Sequence, residues 1–189
     1  MRITTLCLLI FGSLMISACG GDNNSDIVFN QIVETETIYQ VDDLKSLGIK
    51  KGKTYKVEGL NKATDAIFAF YKKPGAKEAK EYEIRFYENH NDAIEFGISM
   101  AKERVGPDAK LKKQDATWDA GLTDARQCGG SGGGVSVGGV GAAGDHGVGS
   151  CSSPKYNEFF VQGNMVILCQ GENEIESRIQ CTNLMAIIP

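Results

Sequence analysis

The feature that most limits how this chain can fold is a glycine-rich segment at residues 129–150. Eleven of its 22 positions are glycine, its one carboxylate is Asp145, and it contains no aromatic residue. Such a segment buries too little apolar surface to offset the entropy lost when its backbone is ordered. We therefore predict a flexible, disordered loop here, so that the folded domain is assembled from the blocks on either side.

The composition of the whole chain limits its class. Of its 189 residues, 42% are hydrophobic and 23% are charged, and the formal net charge is −4. This balance is typical of one globular domain and not of a disordered chain, which combines low hydrophobicity with high net charge. A nucleic-acid-binding domain usually carries a basic stripe, so the mild acidity predicts no nucleic-acid partner.

The amino terminus has the form of an export signal. Met1-Arg2 precedes an apolar run over residues 3–16, which would rise about 21 Å as a helix. A hydrocarbon core is about 30 Å thick, so the run is too short for a membrane-spanning helix. It is typical of a cleavable signal, which we assign to residues 1–18.

The run ends in Ile16-Ser17-Ala18-Cys19, which resembles the lipobox of bacterial lipoproteins. The resemblance implies that Cys19 becomes the first mature residue, carries a diacylglycerol thioether and is acylated, for example by palmitate, on its amino group. Two or more acyl chains give durable anchoring, so the implied partner is a membrane, with the domain outside the cytoplasm. Residues 19–26 then form a polar, lipidated tether, followed by a single domain over residues 27–189.

The residue after the lipidated cysteine bears on which membrane is implied. In lipoproteins of double-membrane bacteria, an aspartate at that position often retains the protein at the inner membrane. Gly20 stands there instead. The resemblance therefore implies the outer membrane in such a cell, and the cell membrane where there is only one.

The remaining cysteines predict disulfide bonds. Cys7 leaves with the signal and Cys19 carries lipid, so four remain: Cys128, Cys151, Cys169 and Cys181. An even number in an exported chain indicates disulfides, and four cysteines allow three pairings that sequence alone does not distinguish. We favour Cys128–Cys151 with Cys169–Cys181, because each closes a local loop. Their spacings of 22, 17 and 11 intervening residues lack a Cys-x-x-Cys pair, which disfavours a zinc site.

The block before the glycine-rich segment predicts strands followed by a helix. The apolar residues of 27–41 follow neither the helical repeat of about 3.6 residues nor the strand repeat of two, and residues 42–48 indicate a short helical turn. Three strands of an antiparallel meander are indicated at residues 53–58, 66–72 and 81–88. A helix should begin after Asn91 as N-cap and bury Ile94, Ile98, Ala101 and Val105. Residues 110–126 contain a candidate second short helix around Trp118.

The block after the glycine-rich segment predicts a hairpin and a helix. Strands at 156–162 and 165–170 flank Gly163-Asn164, and Asn173 with Glu176 forms a capping box for a helix through Ile175, Ile179 and Leu184. The apolar residues of this helix wrap around it and form no single stripe, so we expect it to be buried on several sides. The order of elements predicts an α+β fold: a small antiparallel sheet of about five strands covered on one face by two or three helices. Arg85-Phe86-Tyr87 ahead of Asp92-Ala93, with Gly163–Val166, is also similar to small uncharacterised bacterial lipoproteins, a resemblance that implies no function.

Catalytic motifs occur in the glycine-rich segment, but their context is wrong. Residues 139–144 match a dinucleotide fingerprint without a following helix, and residues 134–138 and 129–133 match a nucleophile elbow without a strand-to-helix turn. Ser136, Asp145 and His146 even follow the order of a catalytic triad, but half-glycine sequence would not hold them together. We predict no catalytic residue, no cofactor-binding residue and no metal ligand.

Outside that segment, each candidate residue has a structural explanation. We interpret His90 as a capping or solvent-facing residue, and Trp118 as an anchor of the core. Four glutamates on and near the third strand are interpreted as solvated charges: Glu81, Glu83, Glu88 and Glu95. The leading hypothesis is a lipid-anchored, non-enzymatic module that binds an envelope protein or a small ligand. A structural or assembly role is the second hypothesis, and an enzyme with an unrecognised site is the third.

Overall fold

The structure is a computed structural model that describes residues 29–122 and 153–189. The lipobox with Cys19, the glycine-rich segment, and the cysteines at 128 and 151 lie outside the described residues. The two described blocks together build one sheet.

Six strands form a single mixed sheet. They are β1 (Ile32–Val33), β2 (Lys50–Thr54), β3 (Ala63–Tyr71), β4 (Lys80–Tyr87), β5 (Tyr156–Gln162) and β6 (Met165–Gln170). Their order across the sheet is β1-β5-β6-β4-β3-β2. The predicted meander of β2, β3 and β4 and the predicted β5–β6 hairpin are both confirmed, and β6 joins them by pairing with β4.

The structure corrects two strand predictions. The first strand of the meander lies at Lys50–Thr54 and not at residues 53–58, and it bulges between Lys51 and Lys53 where it pairs with β3. The unassigned stretch before residue 41 supplies β1, which pairs in parallel with β5. A strand of two residues is too short to show alternation of apolar and polar residues, so the sequence could not predict it.

The helical elements are short until the last one. They are α1 (Val41–Ser46), α2 (His90–Asp92), a π-helical turn (Ala93–Gly97), α3 (Ile98–Lys102), a 3₁₀ turn (Ala120–Leu122) and α4 (Glu174–Met185). The N-cap of α2 is Asn89, whose side chain accepts a hydrogen bond from the Asp92 amide. The helix predicted to begin after Asn91 therefore begins two residues earlier. Around Trp118 only the 3₁₀ turn forms, and the cap of α4 at Asn173 is confirmed.

The π-helical turn packs closely against the sheet at Gly97. A side chain at Gly97 would place its Cβ 2.6 Å from Val166 Cγ2 and 2.9 Å from the Tyr87 ring. Glycine therefore lets the helix backbone lie directly on β4 and β6. The predicted stripe of Ile94 and Ile98 is only half-buried, because the face with Ala93, Gly97 and Ala101 makes the closest approach.

Helices and loops cover both faces of the sheet, not the single face that we predicted. One face packs against α1 and α4 through β4 residues Tyr82, Ile84 and Phe86. The other face is covered by residues 90–122 in two clusters, one with Tyr87 and one with Trp118. In α4 the buried residues are Ser177, Cys181 and Leu184, whereas Ile175 and Ile179 are exposed, contrary to expectation.

A disulfide joins Cys169 at the end of β6 to Cys181 in α4, with the two Cα atoms 5.5 Å apart. This is the second of the two favoured pairings. Both cysteines are fully buried in the core between α4 and the sheet. The bond therefore holds α4 onto the face that it covers.

Candidate functional site

One open cleft among the described residues has a volume of about 470 Å³ and lies at one end of the sheet. Its roof is the segment 38–42 with the start of α1, and its floor is the start of β3 and the end of β4. The turn of the β5–β6 hairpin closes one side with Asn164. A volume of this size is in the range of clefts that bind small molecules.

Asn164 holds the roof of the cleft to its floor. Its Oδ1 accepts from the Tyr39 amide at 2.7 Å, and its Nδ2 donates to the carbonyls of Tyr39 and Tyr87 at 3.1 and 2.9 Å. The preceding Gly163 has φ +54°, which a two-residue hairpin turn of type II′ requires at its first position. The Gly163-Asn164 pair therefore makes the hairpin and shapes the cleft at once.

The charges of the cleft are arranged unevenly. On the side of α1, Asp42 binds Lys45 at 2.6 Å, and this hydrogen bond lowers the pKa of the Asp42 carboxyl. Lys51 reaches in from β2 and donates to the Thr54 hydroxyl. On the floor, the carboxylates of Asp65 and Glu88 have no ion-pair partner among the described residues.

The lining also has an apolar part. Ile38 is 50% exposed on the roof, while Phe86 and Tyr39 are buried beneath it. A ligand in this cleft would therefore meet carboxylates beside an apolar surface. In the Asp65 side chain, Oδ1 accepts from the Ala66 amide at 2.7 Å, which fixes the carboxylate at the edge of the floor.

A second polar feature lies on the opposite face of the sheet and is enclosed. Glu83 of β4 accepts from Arg85 Nε at 2.8 Å and from Arg85 Nη2 at 2.6 Å, and all three groups are fully buried. Arg104 approaches the other carboxylate oxygen at 3.5 Å and donates to the Gly121 carbonyl at 3.2 Å. The Trp118 ring covers Arg85 with 5.0 Å between guanidinium carbon and ring centre.

Two tyrosines border this buried cluster. Burial raises the pKa of the Tyr156 hydroxyl well above its usual value, and the negative charge of Glu83 adds to that rise. Burial also raises the pKa of Tyr87, against the opposing effect of Arg85. Within the described residues, the hydroxyls of Tyr87 and Tyr156 and the Nη1 of Arg85 are buried and make no hydrogen bond.

Sequence reasoning was wrong about this cluster. The alternation of β4 places Glu83 and Arg85 on one face, and we interpreted that face as solvated, whereas residues 103–122 cover it. Of the four glutamates, Glu83 is fully buried, Glu81 pairs with the buried Lys155, and only Glu88 and Glu95 are exposed. The available signal was the Glu-x-Arg spacing, which puts opposite charges on the same side of one strand.

The other candidate residues from the sequence analysis that the structure describes, Trp118 and His90, have structural roles. Trp118 is buried as predicted and donates its indole Nε1–H to the Lys56 carbonyl at 3.0 Å. His90 begins α2, and its Nδ1 lies 2.8 Å from the Gly163 carbonyl oxygen, so it ties that helix to the hairpin turn. Ser131, Ser136, Asp145 and His146 of the rejected catalytic motifs lie outside the described residues.

Metal-binding clusters and membrane-spanning helices are both absent from residues 29–122 and 153–189. No set of three or more histidine, cysteine or acidic side chains in these ranges is placed to hold a metal ion. No helix in them is both long and apolar enough to cross a bilayer.

Comparison with protein families gives one match. Residues 40–189 match the model of a family of unknown function, DUF6810. The chain belongs to the DUF6810 family. No curated protein and no solved structure matches it.

The matched range shows which features are part of the DUF6810 domain. It begins at Gln40, one residue before α1, and runs to Pro189. The floor of the cleft, Asn164, the buried cluster and the Cys169–Cys181 bond therefore all lie inside it. The lipobox and β1 lie before it.

Proposed function

We propose that the chain is a lipid-anchored, non-enzymatic binding module of the cell envelope. In this proposal Cys19 carries the lipid, and the DUF6810 domain binds a small ligand in the cleft beside Asn164. The observation that carries the binding role is the cleft itself, an open volume of about 470 Å³ with charged groups at its rim. The lipobox at residues 16–19 supports the anchor.

The ligand that suits this cleft is a protonated amine with a short apolar group. Lys45 is paired with Asp42, so the carboxylates of Asp65 and Glu88 outnumber the remaining ammonium group of Lys51. A cation is favoured beside these carboxylates, and the exposed Ile38 offers contact to an apolar group. An amino-acid amide or a peptide amino terminus has this chemistry.

The buried cluster of Glu83 and Arg85 is not accessible to a ligand in the cleft. Glu83 and Arg85 are enclosed under Trp118 on the opposite face of the sheet, and neither lines the cleft. A carboxylate that is bonded twice to an arginine is already engaged as an acceptor. We therefore assign the cluster to the core of the domain, and the cleft to binding.

Two probes test the binding role. Leucine amide carries an amine and an apolar side chain, and 4-methylpentanamide has the same apolar group and amide without the amine. In an NMR titration we expect leucine amide to shift the amide signals of Ile38, Asp65 and Glu88, with a dissociation constant of about 1 mM or below. 4-Methylpentanamide should leave those signals unchanged.

Variants make this test specific. Asp65→Asn with Glu88→Gln should weaken binding of leucine amide at least about tenfold, since both negative charges of the floor are lost. The control Glu95→Gln removes an exposed carboxylate from the π-helical turn, away from the cleft lining, and should bind like the unmodified chain. Saturable binding that survives the loss of both floor carboxylates would refute the proposed ligand class.

The anchor is tested separately by Cys19→Ser. We expect the unmodified chain in the membrane fraction of its cell and the variant in the soluble envelope fraction. Continued membrane attachment of the variant would refute lipidation at Cys19, and it would leave the result of the NMR titration unaffected.

A further inference from the structure

The edge of the sheet formed by β2 carries an unusual concentration of positive charge. Residues 40–80 contain ten lysines and five acidic residues, in a chain whose net charge is −4. Three of the lysines lie in the five residues of β2, and all five of these residues are exposed. We define the basic edge as Lys50, Lys51, Lys53, Lys56 and Lys72.

The β-bulge distributes these charges over both sides of the edge. Lys50 pairs with Phe70 and Lys53 with Phe68, so both lie on the face that holds Trp118. Lys51 pairs with Ala69 and projects to the other face, where it lines the cleft. An approaching surface therefore meets ammonium groups from either side of the strand.

These lysines lie outside the ion pairs that the described residues form. None of the five members of the basic edge has an acidic partner within the described residues. In β2, Lys51 donates to the Thr54 hydroxyl and Lys53 lies over the Tyr55 ring. The charge is therefore available to an external anion.

The bulge in β2 also disfavours a partner that would bind by adding a β-strand to this edge. An added peptide strand needs a regular row of free backbone groups, and the bulge between Lys51 and Lys53 interrupts that row. All five residues of β2 are exposed, and only Lys51 of them also lines the cleft. Recognition here therefore depends on the charge of the lysine side chains, which suits an extended anionic surface.

We propose that the basic edge binds the anionic headgroups of a phospholipid membrane. This inference rests on the proposed lipid anchor at Cys19, which would hold the domain close to such a surface. Each lysine near an anionic leaflet contributes attraction that falls off within about 10 Å at ordinary ionic strength. The edge would then orient the domain on the membrane that the lipid already holds.

The length of chain between anchor and domain permits this orientation. Phe29 follows Cys19 by ten residues, which reach at most about 35 Å when extended. The strands β1 and β2 are the opposite edges of the sheet, five strand spacings or about 24 Å apart. The basic edge can therefore touch the membrane while the chain before β1 remains attached to it.

The test uses the mature chain, residues 19–189, with Cys19→Ser so that no lipid contributes. Vesicles of phosphatidylcholine with phosphatidylglycerol should sediment this chain, and pure phosphatidylcholine vesicles should not. Salt at about 1 M, where the Debye length is about 3 Å, should abolish the binding. Replacing Lys50, Lys51 and Lys53 by glutamine should weaken it about 10- to 100-fold.

A matched control keeps the change in net charge the same. Lys102, Lys112 and Lys113 are exposed and lie outside the basic edge, so replacing these three by glutamine should have little effect. Equal losses in both triple variants, or binding to phosphatidylcholine alone, would overturn the proposal. Binding to soluble polyphosphate without binding to anionic vesicles would overturn it as well. Because no lipid is attached in this experiment, failure of lipidation at Cys19 would not change its result.

Discussion

Glu83→Ala should destabilise the domain more than any exposed charge substitution. The change removes the acceptor of two hydrogen bonds from Arg85, at 2.8 and 2.6 Å, and leaves that guanidinium fully buried. Breaking one side of a buried ion pair typically costs about 3–5 kcal/mol, because the remaining charge stays desolvated. Domains of this kind are stable by only about 5–15 kcal/mol, so the loss is a large fraction of the whole.

Urea unfolding measures this loss through one reporter. The chain has a single tryptophan, Trp118, and its ring lies 5.0 Å from the Arg85 guanidinium carbon. Its fluorescence should follow the unfolding of the cluster and of the domain together. We expect a lower transition midpoint for Glu83→Ala with an unchanged slope, which indicates a change in stability and not in the unfolded state.

Two comparisons isolate the buried pair. Glu174→Ala breaks an exposed i,i+4 pair with Arg178 in α4 and should cost at most about 0.5 kcal/mol. Replacing Glu83 and Arg85 together by leucine removes these two charges, while Arg104 keeps its hydrogen bond to the Gly121 carbonyl, so the double variant should recover much of the stability that Glu83→Ala alone loses. If Glu83→Ala costs no more than Glu174→Ala, the reasoning about the buried cluster is wrong.

Three further predictions concern the same fold. Asn164→Ala should cost about 2–3 kcal/mol in urea unfolding, because three main-chain groups of Tyr39 and Tyr87 lose their buried partner, and unchanged stability would contradict this role. Cys169→Ser with Cys181→Ser should cost about 3 kcal/mol in the same assay, from the chain entropy of a loop closed over 12 residues, and a variant as stable as the unmodified chain would disagree. Burial raises the pKa of Tyr82, Tyr87 and Tyr156 in the folded state, so the stability that these hydroxyls contribute is complete below pH of about 10 and is lost as the pH rises further. Tyrosinate absorbance should therefore show that Tyr82, Tyr87 and Tyr156 ionise only as the chain unfolds, and ionisation of these three in the folded chain at a pH of about 10 would argue against the effect of their burial.

The fold was predictable where a helix or strand of usual length has a clear local signal, such as a regular apolar repeat, a turn pair or a cap. The strand β4 and the hairpin of β5 and β6 follow from strict alternation and from the Gly163-Asn164 turn. The cap of α4 follows from Asn173, whose side chain accepts from the Glu176 amide. These signals are local, so the sequence contains them in full.

The errors arise where tertiary packing decides. The sequence between α3 and the 3₁₀ turn has little regular structure, yet it covers the second face of the sheet and buries Glu83 and Arg85. Ile175 and Ile179 are apolar but exposed, because the disulfide and Leu184 turn another face of α4 to the core. Neither the burial of Glu83 and Arg85 nor the exposure of Ile175 and Ile179 can be recognised from the apolar periodicity of the sequence.

The candidate site was the least predictable part. The cleft combines residues from α1, three strands and the hairpin turn, which are distant in sequence and carry no shared motif. Asn164 was assigned to the hairpin turn from its place beside Gly163, but its bonds to Tyr39 and Tyr87 depend on how distant segments meet. Only the lysine content of β2 could have been read beforehand as an exposed, charged edge.

The central claim, that the chain is held in the envelope by lipid, is tested most directly by the intact mass of the protein extracted from its own membranes with detergent. The account predicts a chain that begins at Cys19, heavier than residues 19–189 by a diacylglyceryl group, with or without a further acyl chain on the amino group, and lighter by the protons lost to disulfide bonds. A chain that retains residues 1–18, or one that begins at Cys19 with a free thiol, would contradict it.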